Sequence, residues 1–448
     1  MSAANLGGDG GDGFPEFNDG NVIIIIAAGY QFKLHLDHLK RSAERFRKLF
    51  AEGAASANQS EAVYGKLSRI TAVDEAPAAP PPRKKAKKAD ATHYLVLQGV
   101  DERDLDTNCG VLVPTNKDAI IQNPMIAGNL NAKIEQRYIR LWRNVLGALY
   151  HADMTLDQTD LATLIKDSVG MVSIARYLGC LPVVSYRIEH ALISQGDTLW
   201  KSILNNPVAW MDLAWRVGAR DIFKECLIHL AGIFHRLTAD EKRSIPYEVF
   251  SKVEEKAQLL ERYKASVDFR LASWISPDLK PGPIPPGGKV GQDHGRTAYA
   301  DQIYMWIAQH LFDHFLKFAF QNGDNRGAPD GGFHFYQTIY RGGDAYLKKS
   351  DQDRFHQGDC PMTPKAQRVL FNAIADLKIQ AKEVVRPLFT NAAKIDREKE
   401  KLLHFTCVPV TDEELEWLHI MKGIKKGKSR GEGEGEEEES DESEHAVA

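Results

Sequence analysis

Five consecutive β-branched residues, Val22-Ile23-Ile24-Ile25-Ile26, constrain the fold more than anything else in the chain. Branching at Cβ stiffens χ1 and favours pleated backbone, and a run that is apolar at every position suits a strand covered on both faces. Gly29 and Tyr30 then turn the chain. Phe32, Leu34 and Leu36 alternate with Gln31, Lys33 and His35, which is the period of a strand with one buried face, so the two strands are read as a hairpin. From Leu39 the period becomes helical. Leu39, Ala43, Phe46 and Phe50 recur at four, three and four residues, opposite Lys40, Arg41, Glu44 and Lys48, and predict one amphipathic helix.

Tyr94-Leu95-Val96-Leu97 is a further short strand, after which helical spacing dominates to Phe234. Ile134, Tyr138, Leu141, Val145 and Leu149 form one apolar stripe. Leu161, Ile165, Val169 and Val172 form a second, and Ile222, Phe223, Leu227 and Leu230 a third. A later block is helical too, with stripes Ile303, Ile307, Leu311, Phe315, Phe318 and Leu370, Ile374, Leu377, Ala381, Val384. Thr363 before Pro364 predicts a helix start, and Thr411 with Glu414 a capping box. Stretches poor in large apolar residues separate these blocks: the Gly-rich start, 53–91, the Pro-rich run 277–291, and everything after Lys422.

With 448 residues the chain has enough length for two or three domains. Its longest apolar run, Val22–Ala28, is far below the ~18 residues a membrane span needs, and the first residues lack the apolar core of a secretory signal, so an intracellular protein is expected. The five cysteines are scattered and read as reduced thiols. The formal net charge of -4 hides nine acidic residues after Arg430. Without them the body is mildly basic, too weakly so to predict direct nucleic-acid binding.

The segment DGNVIIIIAAGYQFKLHLDHLKRSAERFRKLF, Asp19 to Phe50, resembles the opening of a BTB/POZ domain: a polar residue before an apolar strand, Phe-x-x-His, a Leu and an aromatic, here Asn21, Phe32, His35, Leu39 and Phe46. YIRLWRNVLGALYHADM resembles the family's helix-to-tyrosine segment, with Tyr150 as that tyrosine. The resemblance implies an α+β fold, a BTB/POZ-like N-terminal domain of short strands plus helices followed by an all-α C-terminal region. On that reading 1–13 are disordered. Residues 14–198 form the BTB/POZ-like domain, with insertions at 53–91 and about 106–133. A helical extension of the kind common in fungal BTB proteins covers 199–275. A Pro/Gly-rich linker covers 276–298, a helical domain 299–420 and a disordered basic-then-acidic tail 421–448. The function it implies is homodimerisation and partner recruitment, as a ubiquitin-ligase substrate adaptor that binds a cullin. The alternative is a nuclear transcription or chromatin regulator.

Outside those blocks, PPRKKAKK presents Arg83, Lys84, Lys85, Lys87 and Lys88 after three prolines that keep the backbone extended. It is read as a nuclear-import signal that engages importin, which places the protein in the nucleus, with the cytoplasm as the alternative. In the tail, Ser440 and Ser443 stand among carboxylates as candidate phosphorylation sites. Catalytic readings are weak. His310 and His314 are one turn apart, but Leu311 stands where a zinc-protease motif needs Glu, and His334 has no spacing to recommend it as a third ligand. Cys360 follows His356 by four residues without a group to orient the pair. The Gly-Gly pairs at Gly331 and Gly342 read as turns. No catalytic site, metal or cofactor is expected, and a metal-dependent hydrolase in the C-terminal block is the remaining alternative.

Overall fold

A computed structural model describes residues 14, 17–27, 30–51, 93–98, 109–115, 132–158, 160–280, 302–358 and 361–416. The import run, Cys360, Ser440 and Ser443, residues 281–298 of the linker and the tail lie outside the described residues.

The aliphatic run forms β1 (Val22–Ala27), which pairs antiparallel with β2 (Tyr30–Leu34), Ile24 opposite Phe32, with a bulge between Ile25 and Ala27. Its other edge takes β3 (His93–Gln98) in parallel, Ile24 beside Leu95. A fourth strand, β4 (Val111–Thr115), pairs antiparallel with β3 and completes the order β2-β1-β3-β4. This strand falls inside the stretch expected to be an insertion. Only Leu112 of its five residues is fully buried, so its apolar signal is short and Pro114 masks the rest. The expectation that β1 is buried on both faces holds for one face: Val22, Ile24 and Ile26 are enclosed, while Ile23 and Ile25 are half-covered.

The helix expected from Leu39 to Phe50 is two helices, α1 (Leu36–Ser42) and α2 (residues 44–51). Ala43 between them is extended, with φ -144 and ψ 127, yet Leu39, Ala43 and Phe46 all remain buried. The spacing survives because the break re-aims the second helix onto the same core. Next come α3 (Ala132–Leu149), α4 (Leu161–Leu178), α5 (Leu181–Ile193), α6 (Asp197–Asn205), α7 (Pro207–Val217) and α8 (Arg220–Ile233). Their ends follow local chemistry. Asp160 caps α4 by accepting from Ala162 N and Thr163 N, and Gly179 closes it in the left-handed region at φ 73. Asn206 accepts from Ala209 N ahead of Pro207 in α7.

After α9 (Ala239–Ser244) the chain enters α10 (Tyr247–Ser273), which joins two cores. Val249 and Val253 belong to the core built by the sheet and α1–α8, whereas Leu260, Val267 and Leu271 belong to that of the C-terminal helices. Those are α11 (Ile303–Asn322), α12 (Phe333–Arg341), α13 (Lys349–Gln357) and α14 (Pro364–Val385). Thr363 caps α14 as its sequence predicts, accepting from Ala366 N. The segment after α14 doubles back, placing Phe405 and Val408 in the second core but Val410 and Leu415 in the first. Thr411 N donates to Glu414 Oε2 at 2.8 Å, which is half of the predicted capping box, and the turn there is a single 3-10 turn, Glu413–Leu415.

Two of the five stripes are displaced. In α11 the buried face is Ala308, Phe312, Leu316 and Ala319, while Ile303 and Phe318 of the expected stripe are 40% and 58% exposed. A helix apolar nearly all round satisfies helical spacing on several faces. The face that is buried carries two alanines, whose short side chains permit a close approach. In α4, likewise, Leu164, Met171 and Leu178 are enclosed and Leu161, Ile165 and Val169 flank them. The stripe Leu370, Ile374, Leu377, Ala381, Val384 is buried throughout, as is Ile222, Phe223, Leu227, Leu230. No helix among the described residues is long and apolar enough to cross a membrane.

Candidate interaction surface of the C-terminal helices

The residues singled out near the N-terminus converge, and their work is structural. Asn21 Oδ1 accepts from Leu36 N at 2.8 Å and so caps the approach to α1. The Tyr150 hydroxyl accepts from His35 N at 2.9 Å. The His35 ring meets Phe17 at 4.7 Å and bonds Asp19 at 3.1 Å, which holds the Asp19 carboxyl below its ordinary range. Phe32, Leu39 and Phe46 are core residues. His38, which the pattern does not include, donates from Nε2 to Leu149 O at 2.7 Å while its ring lies 4.3 Å from that of Tyr150.

The candidate metal pair does not find partners. His310 and His314 are exposed on α11, the first against Trp306 at 4.1 Å and the second against Phe318 at 6.4 Å. No group of three or more His, Cys, Asp or Glu side chains that could hold a metal exists among the described residues. His356 is buried. Burial pushes the free thiols of Cys180 and Cys407 up to about 12 and about 11, so both stay protonated and poorly nucleophilic near neutrality.

A groove of about 560 Å3 lies between α14 and the turn that follows α12. Gly342 and Gly343, both at positive φ, make that turn, and their sites are open. Lys378 of α14 fastens it, donating from Nζ to Gly343 O at 2.6 Å and Leu347 O at 3.0 Å with its ammonium 5.1 Å from the Tyr346 ring. Burial lowers its pKa. Around it stand Arg341, Lys349 and Lys382, all exposed, against one lining carboxylate, Asp344. Lys382 lies over Tyr340 at 5.1 Å and Lys349 over Phe371 at 5.0 Å, so aromatic faces hold both cations in place. Among the described residues Arg341, Lys378 and Lys382 form no ion pair, and Lys349 forms only an exposed one with Asp353 at 3.1 Å. Ile379, 58% exposed, adds an apolar contact at the rim. Chemically this is a preorganised cationic groove with apolar footing, suited to an extended segment that carries carboxylates or other anions.

The block is also braced from α10. Lys264, fully enclosed, donates to Gly331 O at 3.0 Å, and Asp268 accepts from the Tyr336 hydroxyl at 2.7 Å and Asn325 Nδ2 at 2.9 Å. Burial raises the Asp268 pKa against those bonds.

Residues 282–387 match the family model of the FF domain. The matched span contains α11–α14 and the groove, and the match suggests a protein-interaction module. No curated protein and no solved structure matches the chain.

This finding corrects the BTB/POZ resemblance, because the family found lies in the other half of the chain and no BTB/POZ match accompanies it. The physical reason is that strand, turn, strand and amphipathic helix form a local pattern that many α+β domains need. Asn21, Phe32, His35, Leu39, Phe46 and Tyr150 satisfy it by capping and filling a core, and such roles carry little family information. The cullin, adaptor and homodimer expectations came from that resemblance and lose their basis with it. The α+β class stands, as a mostly helical chain with one small N-terminal sheet. Sequence reading missed the groove because it took the apolar stripe of α14 and passed over Lys378 and Lys382, which sit one turn apart beside it.

Proposed function

We propose that this protein works by binding other proteins and not by catalysis, and that its FF-matched block receives an acidic segment of a partner in the groove of Arg341, Lys349 and Lys382. The observation that carries the reading is the coincidence of the matched span with that groove. Cations fixed on aromatic faces lose little side-chain entropy on binding, which favours a charged extended ligand over a flat surface contact. A nuclear setting among transcription or splicing proteins is the reading that joins the FF match to the basic run Arg83–Lys88, which suits an import receptor.

The full chain titrated into a labelled Asp/Glu-rich peptide, followed by fluorescence anisotropy, tests the binding claim. Binding should weaken at least tenfold in the double variant R341E/K382E and should fall with added salt. Equal affinity of the two proteins would remove the groove from the proposal. For location, alanine at Arg83, Lys84, Lys85, Lys87 and Lys88 should shift a tagged chain to the cytoplasm. An unchanged nuclear signal speaks against import by this run.

A further inference from the structure

We propose that the resident occupant of the groove is the chain's own acidic tail, residues 432–444, which an acidic partner must displace. The inference rests on the reading that the groove takes acidic segments, and it adds the regulation of that site. Two observations carry it. The groove presents three exposed cations, of which Arg341 and Lys382 make no ion pair among the described residues and Lys349 makes only an exposed one, with Asp353. The same chain carries nine carboxylates between Glu432 and Glu444, with no Lys or Arg among them.

The length of the intervening chain favours the contact. Glu416, the last described residue, precedes Glu432 by sixteen positions, and an extended chain covers at most roughly 3.3–3.6 Å per residue, or about 55 Å in all. The exit point belongs to the same folded body: Glu414 pairs with Lys256 of α10 at 2.6 Å, and α10 packs against both α11 and α14. A tethered segment within reach acts at an effective concentration near the millimolar range, so even a weak tail contact competes with a free partner. The competing intrachain targets are the basic runs Arg83–Lys88 and Lys422–Arg430. The groove has the advantage of two lysines, Lys349 and Lys382, already fixed on ring faces, so that they give up little side-chain freedom on pairing.

Zero-length carbodiimide cross-linking of the full chain, read by mass spectrometry, tests the contact directly. Cross-links from tail carboxylates to Lys349 and Lys382 are expected, and they should vanish in 1 M salt. Tail links confined to Lys84, Lys85, Lys87, Lys88 or to Lys422, Lys425, Lys426 and Lys428, or no tail links at all, would overturn the inference. A second measurement uses a full-length variant with the nine tail carboxylates changed to Gln or Asn. It should bind the labelled Asp/Glu-rich peptide about tenfold more tightly than the native chain. Equal affinity sinks the tail inference and leaves the partner reading standing. Groove cross-links without peptide binding by the neutral-tail variant do the reverse.

Discussion

Nδ1 of His229, on α8, lies 2.9 Å from Nε2 of His404 in the returning C-terminal segment, with the rings edge to face at 5.2 Å. The direction of this bond follows from its neighbours. His229 Nε2 faces Glu225 Oε1 at 3.3 Å, and the Glu225 oxygens already accept from the backbone N–H groups of Lys394 and Ile395, so His229 Nε2 carries the proton. His229 Nδ1 is then the acceptor and His404 Nε2 the donor. Three side chains, all but enclosed, thus fasten the segment after α14 onto α8, where it bridges the two cores.

That fastening is pH-sensitive. Desolvation first, then the charges of neighbouring basic groups, including Arg236 and Arg397, pushes the His404 pKa down to about 3 from 6.5. Between those values the unfolded chain binds more protons than the folded one, so stability rises with pH there and is complete above about 6.5. Denaturant unfolding should therefore show a loss of about 2 kcal/mol from this group between pH 7 and pH 5. In H404N the starting stability should be lower and this part of the acid slope should flatten. An unchanged slope would remove His404 as its source.

Gly232, near the end of α8, tests the same contact sterically. A Cβ there would come 2.2 Å from Phe405 O and 2.8 Å from His404 Cδ2, with backbone on the far side that cannot swing away. Gly232→Ala should destabilise by about 2 kcal/mol or more, since overpacking against backbone typically costs 1–3. Gly147 in α3 is the control: its Cβ would make ordinary contacts at 3.5 and 3.6 Å to Ala152 and Phe14. Gly147→Ala should be neutral to stabilising by up to about 1 kcal/mol through helix propensity. Midpoints of urea unfolding compare the two.

Tyr336 is fully buried, and its hydroxyl satisfies an Asp268 side chain that burial already disfavours as an anion. Tyr336→Phe keeps the edge-to-face ring contacts with Phe335 and Phe405 but leaves that carboxyl one donor short. A loss of about 1.5–3 kcal/mol is expected, the range for a hydrogen bond to a charged group. A change under 0.5 kcal/mol in chemical denaturation would mean Asn325 alone suffices.

How much of this was legible in the sequence differs by element for physical reasons. The hairpin was readable because Val22–Ile26 and Phe32–Leu34 carry their periods without interruption, and α14 because Leu370, Ile374, Leu377, Ala381 and Val384 keep helical spacing among Lys and Gln. In α11 apolar residues cover nearly every face, so spacing could not choose between Ile303/Phe318 and Ala308/Phe312, and only packing did. The pairing of β4 and the His229–His404 bond join residues far apart in the chain, the latter 175 positions, and no local pattern encodes them. The groove lies between these cases. Lys378 and Lys382 share a face visibly, but Arg341 and Lys349 join them only once the Gly342–Gly343 turn is folded.

That turn gives the last prediction. Lys378 is not a free cation of the groove, because its ammonium is spent on Gly343 O and Leu347 O, the two carbonyls that set the course of the backbone from Arg341 to Lys349. Lys378→Met keeps most of the stem but orphans both carbonyls, so stability should fall by about 1–3 kcal/mol. Affinity for an acidic peptide should fall as well, although the removed group need not touch the ligand, because Arg341 and Lys349 lose their fixed spacing. Lys382→Met gives the contrast: it should weaken the peptide while leaving the unfolding midpoint within about 0.5 kcal/mol, as for an exposed side chain. If the two variants instead lose peptide affinity equally with no loss of stability in Lys378→Met, Lys378 is a direct contact and not the fastener of the turn.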